Sequence, residues 1–347
     1  MSSRPFRVPS AGRPLLDILS RGRVGPGAPG KFSVGQIEQI RRTVGRAPEV
    51  MVKVTGGGRK VRAVAAHISY LSHDGTVELE TDDGQRVSRA SQNDLLMDWH
   101  LDLSAGQYRP PPRGSKAAPD RGIKLVHNIV LSMPAPTPAD KVLAAAKVFA
   151  RDKFALKHRY AMALHTHQKH PHVHLVVKAE SEDGRERLHI DKARLREWRQ
   201  DFARMMRDQG VAANATPRAV RGQSRGTERE ARYRTHRRGS SYTLREEVQS
   251  IIRELSRTGT IHDPAHARLV ETRKGVVAGW LGVAACLDRQ GEIALAGDVR
   301  NFAKNMPPVL TDRERLAAQF IRHMKAQKSA RTESDERTRE RAAERTR

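Results

Sequence analysis

The sequence predicts an α+β protein with an antiparallel β-sheet core and flanking helices, and three patterns predict it. Two apolar stretches, Tyr160 to Thr166 and His172 to Ala179, are parted by a short polar turn and read as a strand hairpin. Apolar residues recur three and four apart at Val61, Val64, Ala65, Ile68 and Leu71, and again at Leu195, Trp198, Phe202 and Met205, as amphipathic helices require. Segments rich in Pro, Gly, Ser and Arg flank this mixed region and show no periodicity of their own.

Residues 1 to about 34 read as a disordered basic arm, and order is expected to begin near Glu49. Val50, Met51, Val52 and Val54 then make a short buried strand that stops at Gly56, Gly57 and Gly58. The helix through Val61 and Leu71 follows, then an alternating strand from Thr76 to Thr81 and a turn at Asp82, Asp83 and Gly84. After a Pro-rich loop from Arg109 to Pro119, Leu125 to Met133 reads as a strand. Thr137 is placed to cap the next helix, with Pro138 at its first position and Asp140 completing a capping box. The helix beginning near Lys192 stops at Gly210. From Arg218 to Arg238 eight arginines face two glutamates with no apolar period, a linker suited to lie along phosphates. Tyr242 to the end reads as mostly helical, with a capping box at Thr311 and Glu314 and a charged tail. The expected organisation is an arm over 1–45, a catalytic domain over 46–217, a linker over 218–240 and a helical region over 241–347.

The chain has 347 residues, and its 64 Lys and Arg against 39 Asp and Glu leave a net charge of +25. Solubility needs far less charge than this, so the excess points to a polyanionic partner, nucleic acid before an anionic membrane surface. Cys286 stands alone, which excludes a disulfide framework and a cysteine metal site. The longest apolar stretch, around Gly275 to Leu287, is too short to span a bilayer, and the N-terminus shows no ordinary export signal; no membrane insertion and a cytoplasmic location are expected.

Six of the 15 histidines fall between His158 and His174. Side chains alternate along a strand, so His172 and His174 share a face while Val173, Leu175 and Val177 take the other. The turn folds His165 back beside His172, and three imidazoles converge. A lone strand histidine is more often solvated or satisfied in a core. Three that converge across a hairpin in a basic chain make a metal site of His165, His172 and His174. His167 and His170, in or near the turn, read as facing solvent or DNA, and His158 as ordinary.

These residues resemble the metal motif of conjugative relaxases, mobilisation nucleases of the His-hydrophobe-His endonuclease superfamily that include the border nuclease of T-DNA transfer. In that branch the segment reads His-Thr-Asp-x-x-His-Pro-His-x-His; this chain departs from it at His167, which replaces the aspartate. Asn128 to Phe149, with Leu131, Ser132, Met133 and Pro134, is similar to the family's middle motif. So is Leu195 to Arg221, with Trp198, Arg199 and the run from Gly210 to Thr216. The likeness covers roughly 49 to 222. Tyr70, in Ala66-His67-Ile68-Ser69-Tyr70-Leu71, sits in a segment resembling the family's first motif, and Tyr160 is the second candidate nucleophile.

The resemblance implies a nuclease domain in which Tyr70 attacks a single-stranded DNA phosphate and keeps it as a 5′-phosphotyrosine at an origin of transfer. His67 and His73 are both placed to take the tyrosine proton, and the sequence does not choose between them. The family uses magnesium or manganese. Three nitrogens suit zinc or a late transition metal better, and manganese is the metal expected to work. Arg59, Lys60, Arg218, Arg221 and Arg225 are expected to hold DNA phosphates. A type IV secretion coupling protein and an accessory DNA-binding protein are implied as partners, and passage into a recipient cell on the DNA follows from the same likeness. Two other readings stay open. A histidine-triad nucleotide hydrolase would use His170, His172 and His174 without metal, and a non-catalytic mobilisation accessory protein would keep only the charge.

Overall fold

The structure, a computed structural model, describes residues 31–72, 77–101, 103, 123–223 and 242–344. The chain divides into two compact units, residues 41–215 and residues 1–40 with 216–347. The first is built on a six-stranded, wholly antiparallel sheet in the order β1-β4-β6-β5-β2-β3. Its strands are β1 (Met51–Gly56), β2 (Leu79–Thr81), β3 (Arg86–Val87), β4 (Val126–Ser132), β5 (Tyr160–His165) and β6 (His172–Lys178). Helices α2 (Val61–Leu71), α3 (Gln92–Asp98), α4 (Ala139–Phe154) and α5 (Lys192–Asp208) flank it. The α+β class predicted from sequence is therefore the observed one.

Both faces of the sheet are covered, so its central strands alternate between two apolar cores rather than between core and water. On one face Ile129, Leu131, Tyr160, Met162, Val173, Leu175 and Val177 pack under Phe149 of α4 and Trp198 and Phe202 of α5. Phe149 is fully buried and meets Phe154, Trp198 and Phe202 edge-on, with ring centres 6.1, 5.9 and 6.1 Å away. Phe149→Ala is expected to cost about 3–5 kcal/mol, read as a lowered urea midpoint. On the other face Val126, Ala161, Ala163 and Val176 pack under Val64, Ile68 and Leu71 of α2, Leu95 of α3 and Trp99 at the end of α3.

The chain reaches α2 through Gly57 and Gly58, where close approach excludes a side chain. A Cβ on Gly57 would lie 2.3 Å from the Val126 carbonyl oxygen, and one on Gly58 2.3 Å from a Val64 methyl. At the far edge Asn214, buried, joins β1: its carbonyl accepts from Val50 and its amide donates to Pro48, while its side chain donates to Thr43 Oγ1 at 3.0 Å.

His127, on β4, donates from Nε2 to the Leu188 carbonyl at 3.0 Å, while its buried Nδ1 has no partner. Burial, then the Lys124 charge, holds its pKa down from 6.5 to about 4. A proton that the unfolded chain takes up near pH 6.5 is thus refused by the folded one until about pH 4. Stability from this group is complete above that window and falls as pH drops through it. His158, also lowered, mainly by burial, adds a contribution of the same sign. Urea midpoints between pH 7.5 and 4.5 should fall less steeply in His127→Gln than in the parent.

The second unit is helical: α6 (Tyr242–Thr258), α7 (Ala265–Gln290), α8 (Ile293–Lys304) and α9 (Asp312–Glu344). Trp280 stacks edge-on to Phe302 at 5.2 Å, and α7 ends where Gly291 turns left-handed at φ 88°. The expected capping box at α9 is present: Glu314 accepts from the Thr311 amide at 2.8 Å, and Thr311 Oγ1 accepts from the Glu314 amide at 3.1 Å. Among the described residues no helix is long and apolar enough to cross a membrane.

Three expectations are corrected. Order begins before Glu49, because α1 (Val34–Val44) occupies the end of the expected arm, with Ile40 buried and Phe32 exchanging backbone bonds with the Gln290 side chain at 2.8 and 2.9 Å. Thr137 does not cap α4: its hydroxyl donates to the Pro134 carbonyl at 2.7 Å, and Pro138 stands at the cap without a side-chain bond. Arg218 to Gln223 is not open linker, since Val220 is fully buried and its carbonyl accepts from Trp280 Nε1 at 2.8 Å. Tyr242, where the helical reading of the C-terminal region begins, starts α6 and donates to Glu246 at 2.7 Å. The expected Pro-rich loop and most of the arm and linker lie outside the described residues.

A candidate metal centre beside a tyrosine helix

The β5–β6 register sets His165 directly opposite His172 and Ala163 opposite His174. Alternation puts all three histidines on the α2 face with Ala163 and Val176. Their ring centres lie 5.3 Å apart for His165 and His172, 4.6 Å for His165 and His174, and 5.0 Å for His172 and His174. One nitrogen from each falls within 4.8 Å of the others. The convergence read from the spacing is met.

Two of the rings are fixed by their other nitrogen. His172 Nδ1 donates to the His170 carbonyl at 2.9 Å, and His165 Nε2 donates to the Leu71 carbonyl at 2.8 Å. Each bond sets a tautomer that leaves the remaining nitrogen as a lone-pair donor, the arrangement metal-binding histidines use. Burial lowers the pKa of His172, and burial followed by the charges of His165, His172, His67 and His167 lowers that of His174 to about 3. Neutral imidazoles at pH 7 are what a cation requires, so the donor set fits a divalent ion.

The bond from His165 to Leu71 also joins this cluster to the end of α2 that carries Tyr70. Tyr70 is 63% exposed, and its ring lies 6.2 Å from that of His67, nearly parallel at 21°. His67 is kept below the usual histidine range by burial, and its Nε2 is buried with no hydrogen-bond partner. Tyr160 is placed differently. It points with Met162 into the opposite core, is 4% exposed, and burial pushes its phenol pKa up. Arg59 and Lys60 stand exposed just before α2, and Lys60 is ten residues, roughly 15 Å of helix, from Tyr70. Arg218 and Arg221 belong to the other unit, and His73 and Arg225 lie outside the described residues.

The structure adds two histidines to the picture. His170 is exposed, as expected, and its Nδ1 accepts from the Ala135 amide at 3.0 Å, which pins the turn to the β4–α4 connection. The histidine-triad reading needs His170 in the cluster, and it is His165 that completes the group. His167 is exposed, yet its ring centre is 5.2 Å from that of His165 and 6.1 Å from that of His172. Period-two counting could not find either, because both lie in the turn.

Residues 113–211, which hold all three clustered histidines, match the relaxase family, in its MobA/VirD2-like nuclease domain. The segment is similar to relaxase nuclease domains, and the match covers under a third of the chain. Three curated proteins to which the chain is similar are T-DNA border endonucleases VirD2. That of Agrobacterium fabrum is 29% identical over 205 residues, 56% of this chain and 44% of the relative. That of Rhizobium radiobacter is 28% identical over 211 residues, 56% of this chain and 46% of the relative. That of Rhizobium rhizogenes is 28% identical over 189 residues, 51% of this chain and 42% of the relative. The chain thus spans less than half the length of these relatives. His67 and Tyr70 precede the relaxase match, so their place beside the histidines rests on the α2 contact alone.

Proposed function

We propose that the chain nicks and rejoins one DNA strand at an origin of transfer by tyrosine transesterification, initiating conjugative transfer or plasmid mobilisation. The observation that carries this is the bond from His165 to Leu71, which sets three convergent imidazoles beside an exposed tyrosine. His165, His172 and His174 would hold a divalent ion, manganese or magnesium with zinc as a further candidate. When bound, such an ion supplies Lewis-acid chemistry, neutralising charge that develops on non-bridging phosphate oxygens.

Tyr70 Oη attacks the scissile phosphorus. A tyrosyl O–P bond forms, the P–O3′ bond breaks, and the 3′ oxygen leaves to end as a free hydroxyl. His67, neutral and one turn earlier on α2, takes the phenolic proton. One phosphoester replaces another, so the step is reversible and rejoining uses the same atoms in reverse. Arg59 and Lys60 at the start of α2, and Arg218, Arg221 and Arg225, would contact the backbone of the single-stranded substrate, with salt-sensitive affinity. A type IV coupling protein and an accessory DNA-binding protein are the partners this reading implies, with the nuclease acting in the donor cytoplasm and passing over on the strand.

The test is to incubate the full chain and Mn²⁺ with labelled single-stranded origin-like oligonucleotides and resolve the products on a denaturing protein gel. A labelled species migrating above the protein supports the proposal. If DNA is cut and no label stays with the protein, hydrolysis has replaced transesterification and the proposal fails.

A further inference from the structure

We infer that His167 is a fourth imidazole of the metal centre and biases it toward zinc or a late first-row transition ion over magnesium. The inference rests on the proposed metal site. Two imidazoles bound at about 2.1 Å to one ion hold their ring centres about 5 Å apart. The three ligand pairs measure 5.3, 4.6 and 5.0 Å. His167 stands 5.2 Å from His165, inside that range, and 6.1 Å from His172, just beyond it, and lies outside the group of three whose nitrogens converge within 4.8 Å. It comes from the turn that links the two ligand strands, so a small turn movement changes its reach without disturbing the sheet.

The chemistry follows from the donor type. An oxygen donor beside three imidazoles suits magnesium and manganese, which prefer carboxylate and water. A fourth nitrogen raises affinity along the order from manganese through cobalt and nickel to copper, and for zinc, while doing little for magnesium. His167 is exposed on the rim of the cluster, and its removal leaves the buried cores untouched. Because it is surface-placed, its substitution is expected to leave the melting temperature of the metal-free protein unchanged.

The experiment titrates the full metal-free chain with Co²⁺, Zn²⁺ and Mn²⁺, following cobalt visible absorption and, for all three, competition with a chelator. Parent protein is compared with His167→Ala, His167→Asp and His174→Ala. The expected result is a loss of at least tenfold in Zn²⁺ and Co²⁺ affinity in His167→Ala, with a weaker, shifted cobalt spectrum. Mn²⁺ affinity should change less than threefold in His167→Ala, and His167→Asp should move the Zn²⁺/Mn²⁺ preference toward Mn²⁺. If His167→Ala keeps the parent cobalt spectrum and zinc affinity while His174→Ala loses both, the three buried histidines bind alone and the inference is overturned. If His174→Ala also binds as the parent does, the metal centre itself is elsewhere and the underlying reading falls with it.

Discussion

Tyr70→Phe should abolish the covalent protein–DNA adduct, lowering its rate of formation by roughly 10⁴-fold or more, as expected when a nucleophile is removed. The melting temperature should stay within about 1 °C of the parent, because only a hydroxyl is lost from a ring that is 63% exposed. The companion variant is Tyr160→Phe. Its phenol lies on the opposite face of the sheet, 4% exposed, with burial raising its pKa, so the adduct should form at close to the parental rate. An adduct that survives Tyr70→Phe and disappears in Tyr160→Phe would refute the placement of the nucleophile on α2. Loss of adduct in both would do the same, unless melting shows that Tyr160→Phe has unfolded the core.

His174→Ala is expected to have the second-largest effect, weakening divalent-ion affinity on the order of 100-fold or more and removing Mn²⁺-dependent nicking. The reason is geometric. His174 is 4.6 Å ring to ring from His165 and 5.0 Å from His172, so its loss leaves two donors where three converge. Its depressed pKa, about 3, marks a group whose ionised form the fold resists. Titration calorimetry with Mn²⁺ decides the matter: parental affinity in His174→Ala would eliminate the triad as the metal site.

The parts of the molecule that could be read from sequence are those governed by short-range periodicity. His172 and His174 share a face because strand side chains alternate, and α2 declares itself through Val64, Ile68 and Leu71. The capping box of Thr311 and Glu314 was legible because its partners are three residues apart. Long-range pairing was not. Nothing in the composition says that β1 lies beside β4, or that Asn214 closes the edge against Val50. The helix α1 was hidden by a basic, Gly-rich neighbourhood, although Ile37 and Ile40 are spaced for one apolar face. Thr137 failed as a cap because the Pro134 carbonyl competes for its hydroxyl. For the candidate site, the convergence of His165, His172 and His174 was in reach. The Leu71 carbonyl that connects them to α2 was not, since a backbone acceptor leaves no trace in residue type.

That connection separates two kinds of locality. The three imidazoles come from one hairpin, His165 to His174, and so can be brought together by a segment of chain as short as β5 and β6. The Leu71 to His165 bond spans 94 positions and closes only when both halves of the sheet have docked. A partly assembled chain can thus gather the three imidazoles early, while the pairing of tyrosine helix with hairpin waits for the complete fold. The proposed chemistry in this sense depends on the finished topology, and the proposed ion site on a single hairpin.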